Sequence, residues 1–281
     1  MGCCGLAGGA VVAPYTPDAN TLHLWNFDQS GSGPVTPVAG VTGSFDLTLD
    51  GSSPETSSTL GATAYPGYGT AGDTTAGTGA GFRGAAVPIT SVTGANGAFT
   101  FEAMIRTGNI SSLQMVISME GNNNATERPF QFRISGGDLN FINISGGGND
   151  PSATIPVTGP DAFVANQWFH VAAAYDGNET SLTDNFKLYW TQVDASRTSA
   201  NEIGSAIMDA DLAGNTLGFG VGNDYRTAGS GNTSSLDGQI DQVRVSDLAR
   251  TADDMLFAVP EPSSSAFLAL AGLALLGRRR P

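Results

Sequence analysis

Phe99-Thr100-Phe101-Glu102-Ala103-Met104-Ile105-Arg106 is the stretch on which the architecture turns. Phe99, Phe101, Ala103 and Ile105 alternate with Thr100, Glu102, Met104 and Arg106. A period of two places one apolar face on an extended chain, so this reads as a half-buried strand of an antiparallel sheet. Phe45, Leu47 and Leu49 alternate in the same way with Asp46 and Thr48. Other apolar segments of strand length, each bounded by turn residues, are Leu22–Phe27, Leu113–Met119, Phe130–Ile134, Leu139–Ile144, Trp168–Tyr175, Phe186–Val193, Leu217–Val221 and Leu236–Val245. One short helix is expected after Thr251, where Thr251 and Asp254 have the spacing of a capping box. Many strands with almost no helix predict an all-β chain folded as a two-sheet antiparallel jelly-roll sandwich.

Composition agrees and narrows the function. Charged residues are 14% of the 281, and glycine contributes 38, a profile of many turns rather than of long helices. Acidic residues outnumber basic ones 26 to 12, for a net charge of −14. Lys187 is the sole lysine, and Arg278, Arg279 and Arg280 hold three of the basic charges at one end. No phosphate-neutralising surface can be built from this, so nucleic acid is excluded as a partner. The two cysteines, Cys3 and Cys4, are adjacent, and the two histidines are His23 and His170. Thiol catalysis and Cys/His zinc sites are therefore not expected.

The ends read as addresses. Residues 1–19 resemble a secretion leader, with the small apolar run Gly2–Ala13 but without a basic n-region. Leu6 stands where a myristoylation signal needs Ser or Thr. Residues 20–258 form the body. Residues 259–281 carry Pro260-Glu261-Pro262, an apolar run Ala266–Leu276, and the arginines Arg278, Arg279 and Arg280. This order resembles the PEP-CTERM sorting signal. The resemblance implies export to the cell envelope or extracellular matrix and recognition by an exosortase-type sorting enzyme that removes the tail. Before removal the tail is expected to form a short hydrophobic helix that holds the chain at the membrane, with the arginines on the cytoplasmic side. From Ser263 to Gly277 a helix reaches only about 22 Å, against roughly 30 Å of hydrocarbon.

Within the body, Gln167-Trp168-Phe169-His170-Val171-Ala172-Ala173-Ala174-Tyr175-Asp176-Gly177 resembles the "W-x-H-V-A-x-x-Y-D-G" strand of laminin-G-like, concanavalin A-like domains. Five further stretches match that family in order: Leu22–Asp28, Phe99–Ile105, Phe186–Trp190, Leu217–Gly222, and the closing strand Leu236–Val245. The resemblance implies a jelly roll that binds carbohydrate or another extracellular polymer, or else a purely structural surface or biofilm protein. It also implies one structural calcium ion where the first and last strands meet. Asp28 and Asp241 match the positions that supply carboxylates, and Asp46 is a further candidate. A turn former at Asp28 and a structural hydrogen bond at Asp241 account for the same residues.

The jelly roll also hosts glucanases, which share an E-x-D-x-x-E strand. Here the seven glutamates are Glu55, Glu102, Glu120, Glu127, Glu179, Glu202 and Glu261, and none pairs with an acid two residues away on a strand. No catalytic residue is therefore assigned, and the chain is read as a non-enzyme. Glu102 is expected to pair with Arg106 or with a cross-strand group. His23 and His170 are expected to be structural, and Trp25, Trp168 and Trp190 to be core. Candidate ligand contacts outside the core pattern are Tyr65, Tyr68, Tyr225 and Arg226, with amides from Asn122, Asn123 and Asn124.

Overall fold

The computed structural model describes residues 14–31, 33–41, 44–49, 58–75, 80–84, 97–120, 129–143, 150–178, 183–194, 196–208, 218–224 and 234–255. These form fifteen strands: β1 Thr21–Trp25, β2 Leu47–Leu49, β3 Thr59–Thr63, β4 Thr70–Asp73, β5 Phe82–Gly84, β6 Phe99–Thr107, β7 Gln114–Glu120, β8 Phe130–Ser135, β9 Asp138–Ile142, β10 Ser152–Thr154, β11 Trp168–Tyr175, β12 Phe186–Gln192, β13 Glu202–Ala206, β14 Gly218–Val221 and β15 Gly238–Ser246. One sheet runs β13-β12-β11-β6-β15-β4-β3, with β1 also paired to β15. The other runs β10-β9-β8-β7-β14-β5-β2. Every pairing among them is antiparallel.

The core lies between the sheets. Phe99, Phe101, Ala103 and Ile105 of β6 face it beside Phe169, Val171, Ala173 and Tyr175 of β11. Phe130, Phe132, Phe141 and Phe219 come from the opposing sheet. The rings of Phe101 and Phe130 stack across the gap with centroids 4.7 Å apart. Trp25 and Trp190 are fully buried here. Indole Nε1 of Trp25 donates to the Phe45 carbonyl at 3.0 Å, which settles its one polar atom.

The half-buried expectation for β6 is corrected. Thr100, Glu102 and Met104, on its other face, are also buried. A second apolar cluster covers this outer face. It includes Met104, Trp168, Ala172, Ala174 and Tyr189 from the sheet, with Tyr15, Tyr68 and Met255 laid over them. Three segments supply the cover: the chain before β1, the turn between β3 and β4, and the chain after β15. Each is short, so no periodicity announces it.

Two boundaries move. Tyr15 and Asp18 belong to the folded body, because Tyr15 N–H donates to Gln242 Oε1 at 3.0 Å and Arg250 donates to Asp18 at 2.9 Å. The leader expected over 1–19 therefore overlaps the domain from Tyr15 onward. After Thr251 the chain makes a 3₁₀ turn, Ala252–Asp254, without a side-chain cap. The Thr251 hydroxyl donates to the Asp254 carboxylate at 2.6 Å instead of accepting a backbone N–H. The expected C-terminal hydrophobic helix lies outside the described residues. Among the described residues no helix is long and apolar enough to cross a membrane.

Candidate functional site

The first and last strands meet where the sequence places its two principal metal candidates. β1 pairs with β15 through Leu24 opposite Arg244 and Trp25 opposite Val243. On its other side β15 breaks register against β6, from Asp241 opposite Met104 to Arg244 opposite Glu102. Two residues of β15, Gln242 and Val243, thus oppose Ala103 alone, which is a β-bulge. Gln242 takes φ 48° there, and Phe27, just past β1, takes φ 53°. Left-handed backbone at residues other than glycine is costly. Both instances directly adjoin the carboxylates in question, Gln242 after Asp241 and Phe27 before Asp28.

Asp28 is held by the turn that follows β3. Its Oδ1 accepts Thr70 N–H at 3.0 Å, and Thr70 Oγ1 donates to the Phe27 carbonyl at 3.0 Å. Gly69 (φ 72°) makes this approach possible, since a Cβ there would lie 1.9 Å from Asp28 Oδ1. Asp241 is fully buried. Its Oδ1 accepts the Gln242 backbone N–H at 2.7 Å, while its Oδ2 is buried with no hydrogen-bond partner. Burial, and then the nearby charge of Asp28, push the Asp241 carboxyl up to about 9, against the opposing pull of the Gln242 N–H. The Tyr68 hydroxyl is likewise buried without a partner. Burial and Asp241 raise its pKa.

Asp28 and Asp241 could contribute two carboxylates to a cation site. A buried carboxylate oxygen without a partner, with a second carboxylate near enough to raise its pKa, supplies oxygens of the kind calcium takes. Asp46 is not part of it: the residue is exposed next to β2, in the other sheet. Among the described residues no three His, Cys, Asp or Glu side chains come together. A bound cation would therefore complete its coordination with backbone carbonyls and water.

Glu102 anchors a second polar constellation, on the outer face of the same sheet. Arg244 Nε donates to Oε1 at 2.5 Å, and His170 Nε2 lies 3.1 Å from Oε2. The Tyr15 hydroxyl donates to Oε2 as well. The Arg244 guanidinium carbon sits 3.9 Å from the Tyr15 ring centroid, a cation–π contact. Burial alone would raise the Glu102 pKa, but Arg244 and the hydrogen bond to His170 outweigh it and bring the carboxyl down to about 2. Glu102 and His170 are both sealed from solvent. The partners are cross-strand, as one of the two expectations had it. Arg106 instead donates to the Asn166 carbonyl and to Gln239. Nothing in a one-dimensional pattern identifies Tyr15 or Arg244, because the β15 bulge sets which side chains face Glu102.

The remaining candidates divide. His23 is buried, stacked on Trp25 at 5.3 Å and bonded through Nδ1 to Ser44 Oγ at 2.9 Å. Tyr68 is 1% exposed, so its ring offers no face to a sugar, and that assignment is corrected. The reason is the outer apolar cluster it helps to build. Tyr65 is partly buried and packs edge-on against Tyr68 at 5.7 Å. Tyr225, Arg226, Asn122, Asn123, Asn124 and the sorting residues Pro260, Glu261, Pro262, Arg278, Arg279 and Arg280 lie outside the described residues.

Two packed antiparallel sheets, closed where the first strand pairs with the last, define a jelly-roll domain of the lectin and glucanase class. Residues 78–255 match the laminin-G family model described as the concanavalin A-like lectin/glucanases superfamily. The chain belongs to that superfamily. Residues 258–280 match the PEP-CTERM protein-sorting motif, which marks the chain for export and sorting. No curated protein sequence matches. Among solved structures, the fold is similar to domain 4 of AbnA, an extracellular arabinanase from Geobacillus stearothermophilus in complex with arabinotriose. That match has 15% identity and a TM-score of 0.51, over 86% of this chain and 98% of that one. A second similar structure is the binding domain of botulinum neurotoxin serotype D, with 10% identity and a TM-score of 0.50, over 84% of this chain and 50% of that one.

Proposed function

We propose that this is a surface or extracellular-matrix protein whose sandwich recognises carbohydrate or another extracellular polymer. The observation that carries the reading is the pairing of a lectin-type sandwich with a sorting motif at residues 258–280. The similar arabinanase domain, described in complex with arabinotriose, supports the reading. A glycan array probed with the mature protein tests the reading, and an array without any saturable signal would leave the purely structural role.

Calcium belongs to the same proposal as a structural ion. Asp28 and Asp241 would hold it, with the Tyr68 hydroxyl beside them. It would offset the charge of two nearby carboxylates and tie the end of β1 to β15. Nothing in this role calls for turnover, and the chain is read as a binding protein rather than a catalyst.

Processing by an exosortase-type enzyme, after a stage at the membrane, completes the proposal. The mature protein from its native host is expected to lack the tail beyond about Pro262. Intact mass spectrometry decides this, and a C-terminus still ending in Arg278–Pro281 would defeat it. Expressed without the sorting enzyme, the chain should retain an apolar segment and partition with membranes or aggregate.

A further inference from the structure

A cavity of about 220 Å³ opens on the outer face of the eight-stranded sheet, away from the Asp28–Asp241 pair. Its floor is apolar, from Ala174 of β11, Tyr189 of β12 and Ala252 of the 3₁₀ turn. Its rim is polar, from Asp176, Asp184, Lys187 and Glu202, and the buried Arg250 also lines it. None of these residues follows from the family match as a ligand contact.

The rim is held in place from behind. Asn185 Nδ2 donates to the Asn178 and Met208 carbonyls, at 2.9 and 2.7 Å, and its Oδ1 accepts Met208 N–H. Asp176 N–H donates to the Asn185 carbonyl at 2.9 Å. Asp184 Oδ2 accepts from Ser205 at 2.7 Å. Arg250 is buried, with Nε on Ser246 and Nη2 on Asp18. At the mouth, Lys187 Nζ and Glu202 Oε2 pair at 2.8 Å while both remain well exposed. Burial and the Glu202 charge hold the Tyr189 phenol neutral, with its pKa raised to about 12.

We propose that this cavity is a subsite for one neutral sugar unit of an extracellular polysaccharide. The inference rests on the carbohydrate-binding reading and gives it a place. Ligand pockets for drug-sized molecules run to roughly 300–1,000 Å³, so this one suits a single ring at a time. An apolar floor accepts the C–H face of a sugar. Hydroxyls can donate to the three carboxylates and accept from Lys187, which a purely acidic or purely basic rim would not allow. A uronate would bring a fourth carboxylate to a rim that already has three against one exposed cation, so a neutral unit is favoured.

Because Lys187 is the sole lysine, reductive ¹³C-dimethylation labels this rim at one side chain and keeps its charge. The labelled mature protein, ending near Pro262, is titrated with methyl glucoside, methyl galactoside, methyl mannoside, methyl arabinoside and glucuronate. At least one neutral glycoside should shift the Lys187 signal saturably. Glu202→Gln and Asp184→Asn should each weaken that binding about tenfold, the loss of one charged hydrogen bond. Glu202 sits in an exposed ion pair, so its variant should fold normally. A signal unmoved by every neutral glycoside, or moved only by glucuronate, overturns the proposal. If the Glu202→Gln protein still binds a glycan array like wild type, this subsite fails while carbohydrate recognition stands. An array blank for wild type defeats both.

Discussion

Glu102→Gln should destabilise the domain by about 3–5 kcal/mol, the range for breaking a buried ion pair from one side. Arg244 would keep its charge while buried, with its carboxylate partner gone. Glutamine keeps a single acceptor oxygen, which cannot serve both Arg244 and the contact that His170 and Tyr15 share. The melting temperature should fall by roughly 10 °C or more. The exposed pair Lys187–Glu202 serves as a control, because Glu202→Gln should change stability by no more than about 1 kcal/mol.

The same pair sets a pH dependence whose sign follows from the Glu102 shift. Its folded pKa, about 2, lies below the ordinary 4.5. Its contribution is therefore fully present above pH 4.5 and lost as pH falls through 2. The stability gap between wild type and Glu102→Gln should be constant above about pH 5 and close toward pH 2. His23, held by burial at about 4 rather than 6.5, also makes the fold less stable as pH drops. It is present in both proteins and cancels in the difference. Urea melts across pH measure this, and a gap below about 1 kcal/mol at neutral pH would show that Glu102 is not the anchor described.

Calcium should reverse the stability order of wild type and Asp241→Asn. In metal-free protein Asp241 is buried with one oxygen unpartnered and Asp28 nearby. Asparagine keeps the shape and brings no charge to bury beside Asp28, so the variant should equal or exceed wild type. At a calcium concentration 100-fold above the dissociation constant, wild type should gain about 2.7 kcal/mol. The variant lacks a carboxylate ligand and should gain little. Thermal melts with calcium and with chelator decide. A wild-type midpoint indifferent to calcium, or an equal shift in Asp241→Asn, would remove the ion from the proposal. Gly69→Ala gives a second probe, since its methyl would collide with the Asp28 carboxylate and should weaken the calcium response.

Asp28 and Asp241 were legible as candidates because each stands at a fixed place in a recognisable strand. Their meeting between the first and last strands was implied by the family resemblance; the bulge and the two left-handed residues beside them were not legible, since no apolar pattern encodes them. The sequence by itself determined the strands whose side chains fill the core: Trp168–Tyr175 spans the same residues in the folded chain as in its pattern. It passed over Thr59–Thr63, Thr70–Asp73, Phe82–Gly84, Ser152–Thr154 and Glu202–Ala206. These are short, or rich in Gly, Ala, Ser and Thr, so apolar alternation is too weak to mark them. They pair because neighbouring strands leave backbone donors and acceptors that must be met. Tertiary structure alone decided the outer cover, where Tyr15, Tyr68 and Met255 turn a nominally polar face into a second core. Alternation reports only that a strand has two different faces. What lies over the second face depends on chain segments far away in sequence, and with it whether Glu102 meets water or a guanidinium.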